Sequence, residues 1–173
     1  MVAVVFLKGV NVGGHRRLRP SVLAKELQRF DVVNIGAAGT FVVRKRVAKA
    51  TLLAEIARRV PFEVDAMICS AREIVRLIAD DPFNGHDTGR DVVAFVGVMA
   101  RSKRRSSSVP LHLPTDGEWC LKVLACQDRF VLGLYRRRMQ AIAYLGQLEK
   151  LVGVPLTIRN WNTMTAIGRA LQP

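Results

Sequence analysis

Two short polar segments carry the residue types best suited to binding a charged ligand. The first is the glycine-rich stretch Lys8-Gly9-Val10-Asn11-Val12-Gly13-Gly14, and the second is Arg159-Asn160-Trp161-Asn162-Thr163. Glycines let backbone N–H groups point into one concavity, where they bind phosphate or carboxylate oxygens. An arginine adds a planar fork for an anion, and an indole adds a stacking surface. These segments therefore favour recognition of a phosphate-bearing ligand.

We predict that the two segments form one ligand site, because both follow predicted strands and can meet at one sheet edge. The predicted ligand-binding residues are Lys8, Gly9, Asn11, Gly13, Gly14, Arg16, Arg159, Asn160, Trp161 and Asn162. The glycine pattern is neither GxGxxG nor a Walker loop, and the next helix begins only near Pro20. Structural roles stay open: the glycines can serve a turn with positive φ, while Asn162 and Trp161 can cap and anchor the last helix.

The charge balance points to the same class of ligand. The chain has 27 Lys and Arg against 14 Asp and Glu, a net charge of +13. Most of the excess lies in four clusters. These are Lys8 with Arg16, Arg17 and Arg19; Arg44, Lys45, Arg46 and Lys49; Arg101, Lys103, Arg104 and Arg105; and Arg136, Arg137 and Arg138. Clustered positive charge attracts polyanions, so the predicted partner is nucleic acid or a nucleotide; a role in solubility stays open.

Other chemistries find little support in the sequence. Cys69, Cys120 and Cys126 have no metal-ligand spacing, and the three histidines are scattered, so we predict no metal and no cofactor. If residues 120–126 form a strand, Cys120 and Cys126 share one of its faces. No GxSxG motif and no paired His and Cys nominate a nucleophile or a general base. The catalytic residues are therefore unknown, and enzymatic activity is an open question.

The first half of the chain predicts the element order β-α-β-β-α-β. A valine-rich run at 2–7 suits a strand buried on both faces, and Pro20 suits a first helical position. Strands at 31–35 and 40–44 flank a glycine-containing hairpin turn, and a helical stripe at 52–60 precedes a strand at 64–69. This order predicts an α+β fold with a ferredoxin-like first half. The covered faces of the first strand argue against an open RNA-binding sheet.

The second half of the chain predicts a related α+β unit with one helix missing. Ser70 to Glu73 has capping-box spacing and opens a helix that ends at residue 79. Strands at 92–99, 119–126 and 130–135, a helix at 139–152 and a strand at 156–158 follow, while 101–118 predicts a loop. The predicted divisions are a ferredoxin-like half at 1–70, a linking helix and loop at 71–90, and a second half at 91–173.

Together, the glycine-rich opening and the Arg159-Asn160-Trp161-Asn162-Thr163 segment resemble the signature of the uncharacterised bacterial family called domain of unknown function 1697. The resemblance runs over nearly the whole chain and implies no settled activity. The family pattern has Gln-Ser-Gly-Asn where this chain has Ala37-Ala38-Gly39-Thr40, and Gly-Arg-Ser-Lys where this chain has residues 136–139. The resemblance therefore implies that, if relatives are enzymes, this member has lost or altered the activity.

Two further functions stay open beside a binding module. The same site would suit a small-molecule enzyme acting on a phosphorylated or carboxylated substrate. Alternatively, Trp161 and an exposed sheet edge would make the chain a self-associating interaction protein, hence a homo-oligomer. The apolar runs are far shorter than the roughly 18 to 20 residues that span a bilayer, and no secretory signal opens the chain. We therefore expect a cytoplasmic protein without a membrane partner.

Overall fold

The structure is a computed structural model that describes residues 1–12, 14, 16–102 and 110–172. Residues 103–105 of the third basic cluster therefore lie outside the described residues. The described chain is α+β, with helices and two antiparallel sheets. It packs as two compact units, Met1–Asp80 with Asn162–Pro173, and Asp81–Trp161. These units group the linking helix and nearly all of the last helix with the first part of the chain, unlike the predicted divisions at residues 70 and 91.

The elements before residue 80 are, in chain order, β1 (Ala3–Leu7), α1 (Pro20–Glu26), a short 3-10 turn (Gln28–Phe30), β2 (Val32–Asn34), β3 (Thr40–Val43), α2 (Lys49–Arg59), β4 (Ala66–Ser70) and α3 (Ala71–Ala79). The remaining elements are β5 (Val92–Met99), β6 (Leu111–Leu113), β7 (Leu121–Gln127), β8 (Phe130–Arg136), α4 (Met139–Val152), β9 (Leu156–Asn160) and α5 (Trp161–Leu171). The predicted strands and helices are therefore confirmed, with shifts of a few residues at their ends.

The first unit is built on a four-stranded antiparallel sheet with the strand order β2-β3-β1-β4. All five residues of β1 are buried, which confirms the prediction that both faces of this strand are covered. One face packs on α1 and α2. Its core contains Ala3, Val5, Leu7, Leu23, Leu27, Phe41, Val43, Leu52, Ile56 and Ile68. Val4 and Phe6 of β1 point to the opposite face and are equally buried. The sheet thus offers no open surface for stacking bases.

Helix α3 begins with the predicted capping box. The Ser70 hydroxyl accepts a hydrogen bond from the Glu73 backbone N–H at 3.3 Å, and the Glu73 carboxylate accepts one from the Ser70 backbone N–H at 2.7 Å. Helix α5 buries Met164 and Ile167. It lies close to α3, because a Cβ at Gly168 would be 2.8 Å from Ile78 Cδ1. The capping box of α3 and the close packing of α3 with α5 are both features of the first unit.

The second unit is built on a five-stranded antiparallel sheet with the order β6-β7-β8-β5-β9. Helix α4 covers one face and packs on a core that includes Phe95, Leu121, Val131 and Leu148. Strand β6 lies inside the stretch that we predicted as a loop, so that part of the prediction is wrong. Its three residues are too few to give a periodic pattern, and they form a strand because they pair with β7.

An irregularity in β7 corrects one prediction about the cysteines. The pairing of β7 with β8 shifts between Val123 and Ala125, which inserts one extra residue into the strand. Side chains after such a bulge exchange faces. Cys126 therefore packs against the same core as Leu121 and Val123, and it does not share the face of Cys120. The predicted common face of the two cysteines is wrong for this reason.

The Glu55 carboxylate on α2 contacts three guanidinium groups, those of Arg29 (2.7 Å), Arg58 (3.0 Å) and Arg59. Burial acts to raise the pKa of Glu55, but the hydrogen bond from Arg59 and the three positive charges lower this pKa below its ordinary value. The ionised carboxylate therefore stabilises the fold above the unfolded-state pKa, and this contribution is lost as pH falls through the lowered folded-state pKa.

We expect Glu55→Gln to reduce the melting temperature near pH 7 and to flatten its fall between about pH 5 and pH 3. Thermal unfolding followed by circular dichroism over this pH range measures both effects. Glu63→Gln is the matched control, because Glu63 is exposed and forms no ion pair within the described residues. Identical pH profiles for wild type and Glu55→Gln would contradict the expectation.

Candidate functional site

The glycine-rich loop leaves the first sheet at the carboxyl end of β1. The Leu7 backbone N–H donates to the Gly39 carbonyl at 2.8 Å, and the Lys8 backbone N–H donates to the Asp65 carbonyl at 2.9 Å. The loop therefore emerges between the β2–β3 turn and the start of β4. Its first apolar residue, Val10, is buried in the core. The chain is thus held at both sides where the loop begins.

Asn11 fastens the loop through three hydrogen bonds. Its backbone has a left-handed conformation (φ 58°), and its backbone N–H donates to the Arg16 carbonyl at 3.2 Å. Its side-chain Nδ2 donates to the Ala37 carbonyl at 2.9 Å, and its Oδ1 accepts from the Leu18 backbone N–H at 2.8 Å. Asparagine tolerates this backbone conformation better than most residues. Asn11 therefore closes the loop and ties it to the β2–β3 turn.

The Arg16 guanidinium lies beside Gly9. Gly9 has φ +69°, and Arg16 Nη1 is 3.8 Å from the position that a Cβ on Gly9 would occupy. Gly14 also has a left-handed backbone (φ +76°), and its carbonyl accepts a hydrogen bond from Arg17 Nε at 3.2 Å. Gly13, which we predicted as a ligand residue, lies outside the described residues. The loop therefore presents an arginine head group over an exposed glycine backbone, as an anion site would require.

The positive charge of this loop is not neutralised locally. The side chains of Arg16, Arg17 and Arg19 are exposed, and in the part of the chain that the structure describes none of them forms an ion pair with an acid. Guanidinium groups without carboxylate partners remain able to pair with a ligand anion. We call Gly9, Asn11, Gly14 and Arg16 the loop site.

Arg159 lies in a different environment, within the second unit. It is only 7 % exposed, and its Nη1 donates to Thr157 Oγ1 and to the Ile158 carbonyl, both at 2.8 Å. Burial lowers the pKa of Arg159 to about 10, so the guanidinium stays charged at neutral pH. Its head group is held by protein oxygens on its own strand. A ligand contact for Arg159 stays a prediction.

The other three predicted ligand residues of the C-terminal segment have different surroundings. Asn160 is exposed at the end of β9, and the Trp161 ring makes an edge-to-face contact with Phe83 at 5.1 Å and 69°. Helix α5 begins at Trp161, so Asn162 lies in its first turn and the predicted cap at Asn162 is wrong. The Asn162 carbonyl accepts a hydrogen bond from Thr165 Oγ1. That this segment joins the loop site stays a prediction.

The basic clusters differ in position and in their partners. Ala3 of β1 pairs with Val43 of β3, so the cluster that begins at Arg44 lies at the opposite end of the sheet from the loop site. Four residue steps of β1, roughly 13 Å of strand, separate Ala3 from Leu7 at the two ends. Arg44 Nε donates to the carbonyl of Ala170, in the last turn of α5, at 3.0 Å. These two clusters therefore do not form one continuous patch along the strands.

The fourth cluster is partly neutralised by an acid. Arg136 and Arg138 both donate to the Glu118 carboxylate, Arg138 at 2.7 Å. The hydrogen bond from Arg138 and the two guanidinium charges lower the pKa of Glu118. Arg136 and Lys122 also lie over the Trp119 ring, 4.6 and 4.4 Å from its centroid. Their charges already have protein partners, which distinguishes them from the arginines of the loop.

Sequence patterns did not reveal one neighbour of the loop site, the turn at residues 36–39. Gly36, Ala37 and Ala38 are exposed, and Gly39 is buried under Val10. The signal in this chain's own residues is the pair of glycines that bracket the turn, and such a pair is typical of any hairpin. The polar Gln-Ser-Gly-Asn of the family pattern falls at residues 37–40 but does not show that the turn lies beside the loop. Small apolar side chains did not suggest a ligand contact, although the backbone of this turn lies next to the loop.

Metal and membrane chemistry find no further support in the described residues. Within them, no group of three or more His, Cys, Asp or Glu side chains could hold a metal ion. No helix in the described part of the chain is long and apolar enough to cross a bilayer. Among the described residues the three cysteines form no disulfide, and Cys69 and Cys120 are buried.

The fold and the loop site define an α+β protein with an electropositive glycine loop at one end of its first sheet. The chain belongs to the family described as "Protein of unknown function (DUF1697)", whose sequence model matches residues 1–110. The matched region contains the glycine loop and the β2–β3 turn, and Arg159 to Thr163 lie outside it. No curated protein and no solved structure matches the chain.

Proposed function

We propose that this protein is a binding module for a phosphate-bearing ligand, nucleic acid or nucleotide, and that the loop site makes the first contact. The observation that carries the proposal is the position of the Arg16 guanidinium over the exposed backbone of Gly9. A phosphate oxygen beside both groups would accept charge-assisted hydrogen bonds from the guanidinium and bonds from backbone N–H groups. Asn11 keeps this arrangement in place before the ligand arrives.

We also infer that the first unit has the ferredoxin-like arrangement. Support comes from its element order, from the strand order β2-β3-β1-β4, and from antiparallel pairing throughout the sheet. Both α1 and α2 contribute to the core on one face of this sheet. This arrangement brings the carboxyl end of β1 beside the β2–β3 turn. It therefore accounts for the place of the loop site at that end of the sheet.

Titration with inorganic phosphate at low ionic strength, followed by amide NMR shifts, tests the proposal. We expect the amides of Gly9 and Gly14 to shift together in the millimolar range, and Arg16→Ala to weaken binding about tenfold, which corresponds to about 1.4 kcal/mol. Arg46→Ala is the matched control, since it removes the same charge at the opposite end of the sheet. Phosphate that shifts no loop amide, or equal losses in the two variants, would overturn the proposed function.

A further inference from the structure

We propose that the β2–β3 turn at residues 36–38 is the second wall of the loop site, and that the site takes one compact phosphate group rather than an extended nucleic-acid backbone. This inference rests on the proposed function and narrows its ligand class. It also makes Asn11 a positioning residue, because both ends of its side-chain amide are bound to protein atoms.

The turn and the loop are joined at three points. Asn11 Nδ2 donates to the Ala37 carbonyl at 2.9 Å, and the Leu7 backbone N–H donates to the Gly39 carbonyl at 2.8 Å. Gly39 also lies against Val10, because a Cβ atom placed on Gly39 would be only 2.7 Å from Val10 Cγ2. Packing this close leaves no gap between the two segments. The turn therefore has a fixed position relative to the loop.

The turn presents backbone rather than side chains to its surroundings. Gly36 and Ala37 are exposed, and Gly36 has a left-handed backbone (φ +73°). In the described part of the chain, no heavy atom beyond the chain neighbours of Gly36 lies within 4 Å of its Cβ position. Among the described residues, the backbone N–H groups of Gly36 and Ala37 donate no hydrogen bond, and the same holds for Gly9. Exposed N–H groups on two adjoining loops form the kind of concavity that holds a phosphate.

Three observations favour a single phosphate over a nucleic-acid strand. One guanidinium, that of Arg16, lies at the exposed glycine, whereas Arg17 Nε is bound to the Gly14 carbonyl. The next basic cluster of this unit lies at the far end of the sheet. Within the described residues, the exposed large hydrophobic side chains are all aliphatic, namely Met1, Val12, Val22, Val75, Met139, Ile142 and Leu151. Single-stranded nucleic acid is bound on exposed aromatic rings along a continuous basic groove.

The experiment compares inorganic phosphate, adenosine 5′-monophosphate and unphosphorylated deoxythymidine oligonucleotides of two, five and ten residues, using the full chain. We expect phosphate and the mononucleotide to shift the amides of Gly36 and Ala37 together with those of Gly9 and Gly14. We expect the oligonucleotide affinity per phosphate to stay flat with length, and the salt dependence to correspond to about one phosphate contact. An affinity per phosphate that rises steadily with length, together with a salt dependence of several contacts, would overturn the compact ligand class and leave the proposed function standing.

Two variants test the wall and the positioning residue. Ala37→Glu adds a carboxylate to the turn and should weaken phosphate binding at least tenfold, whereas Ala48→Glu, the same exchange at the far end of the sheet, should change it less than twofold. Asn11→Gly keeps the left-handed backbone but removes both side-chain bonds, so binding should fall about fivefold while the remaining amide spectrum is retained.

The turn would not be the second wall of the site if phosphate shifted only amides between residues 9 and 16 in the wild type. Equal effects of Ala37→Glu and Ala48→Glu on phosphate affinity would also contradict this role. Unchanged binding in Asn11→Gly would overturn the positioning role. Phosphate that shifts no amide at either segment is the separate outcome that removes the proposed function itself.

Discussion

Replacing Gly39 by alanine is expected to lower the free energy of unfolding by about 3 kcal/mol, the sum of backbone strain and overpacking. Gly39 has φ +70°, a conformation that L side chains rarely adopt. A methyl group there would lie 2.7 Å from Val10 Cγ2 and 3.0 Å from Leu7 Cβ, and both neighbours belong to the core. Urea denaturation of wild type and variant measures the difference. Because Val10 must move, phosphate binding at the loop site should weaken as well.

Gly36→Ala separates the two contributions to this loss. Gly36 has nearly the same backbone conformation (φ +73°), but among the described residues no heavy atom beyond its chain neighbours lies within 4 Å of its Cβ position. Its replacement should therefore cost only the strain, about 1 kcal/mol. The roughly 2 kcal/mol between the two variants reports the packing of the turn on the loop. Equal losses in Gly36→Ala and Gly39→Ala would show that Val10 and the turn are not tightly packed.

The order and type of the elements could be read from the sequence because each long element carries its own signal. The valine run of β1 and the capping box of α3 are local patterns, and the structure confirms both. Strand β6 had no such signal, since three residues at Leu111–Leu113 acquire strand geometry only by pairing with β7. The bulge between Val123 and Ala125 is equally invisible, because one extra residue leaves the composition of the strand unchanged.

The candidate site shows what residue types leave out. Asn11 stays a predicted ligand residue, and the structure adds a second task for its side chain. The amide bonds to partners 7 and 26 residues away, and no local pattern predicts such long-range bonds. The sequence predicts Arg159 as a fork for an anion but does not predict its burial, and the side chain is only 7 % exposed on β9. Burial depends on which elements pack together, and that information is not in a five-residue motif.

Trp161→Ala is the second substitution with a large expected effect, and it should lower the free energy of unfolding by about 2 to 3 kcal/mol. Its ring meets Phe83 edge to face at 5.1 Å, and Phe83 is itself buried. Removing the indole leaves a cavity beside Phe83 and ends the aromatic contact. Trp161→Phe keeps a ring that can meet Phe83, so it should cost only about 1 kcal/mol. Chemical denaturation of the two variants measures this difference.

The same two variants separate an anchoring tryptophan from a ligand-stacking one. Inorganic phosphate has no ring to stack, whereas adenosine 5′-monophosphate has one, so the ratio of their affinities reports stacking independently of stability. If Trp161 is an anchor, as its contact with Phe83 indicates, this ratio should stay within twofold of wild type in both variants. A fall in nucleotide affinity alone in Trp161→Ala, with phosphate affinity unchanged, would instead favour a stacking role. It would also support the prediction that the C-terminal segment contributes to the ligand site.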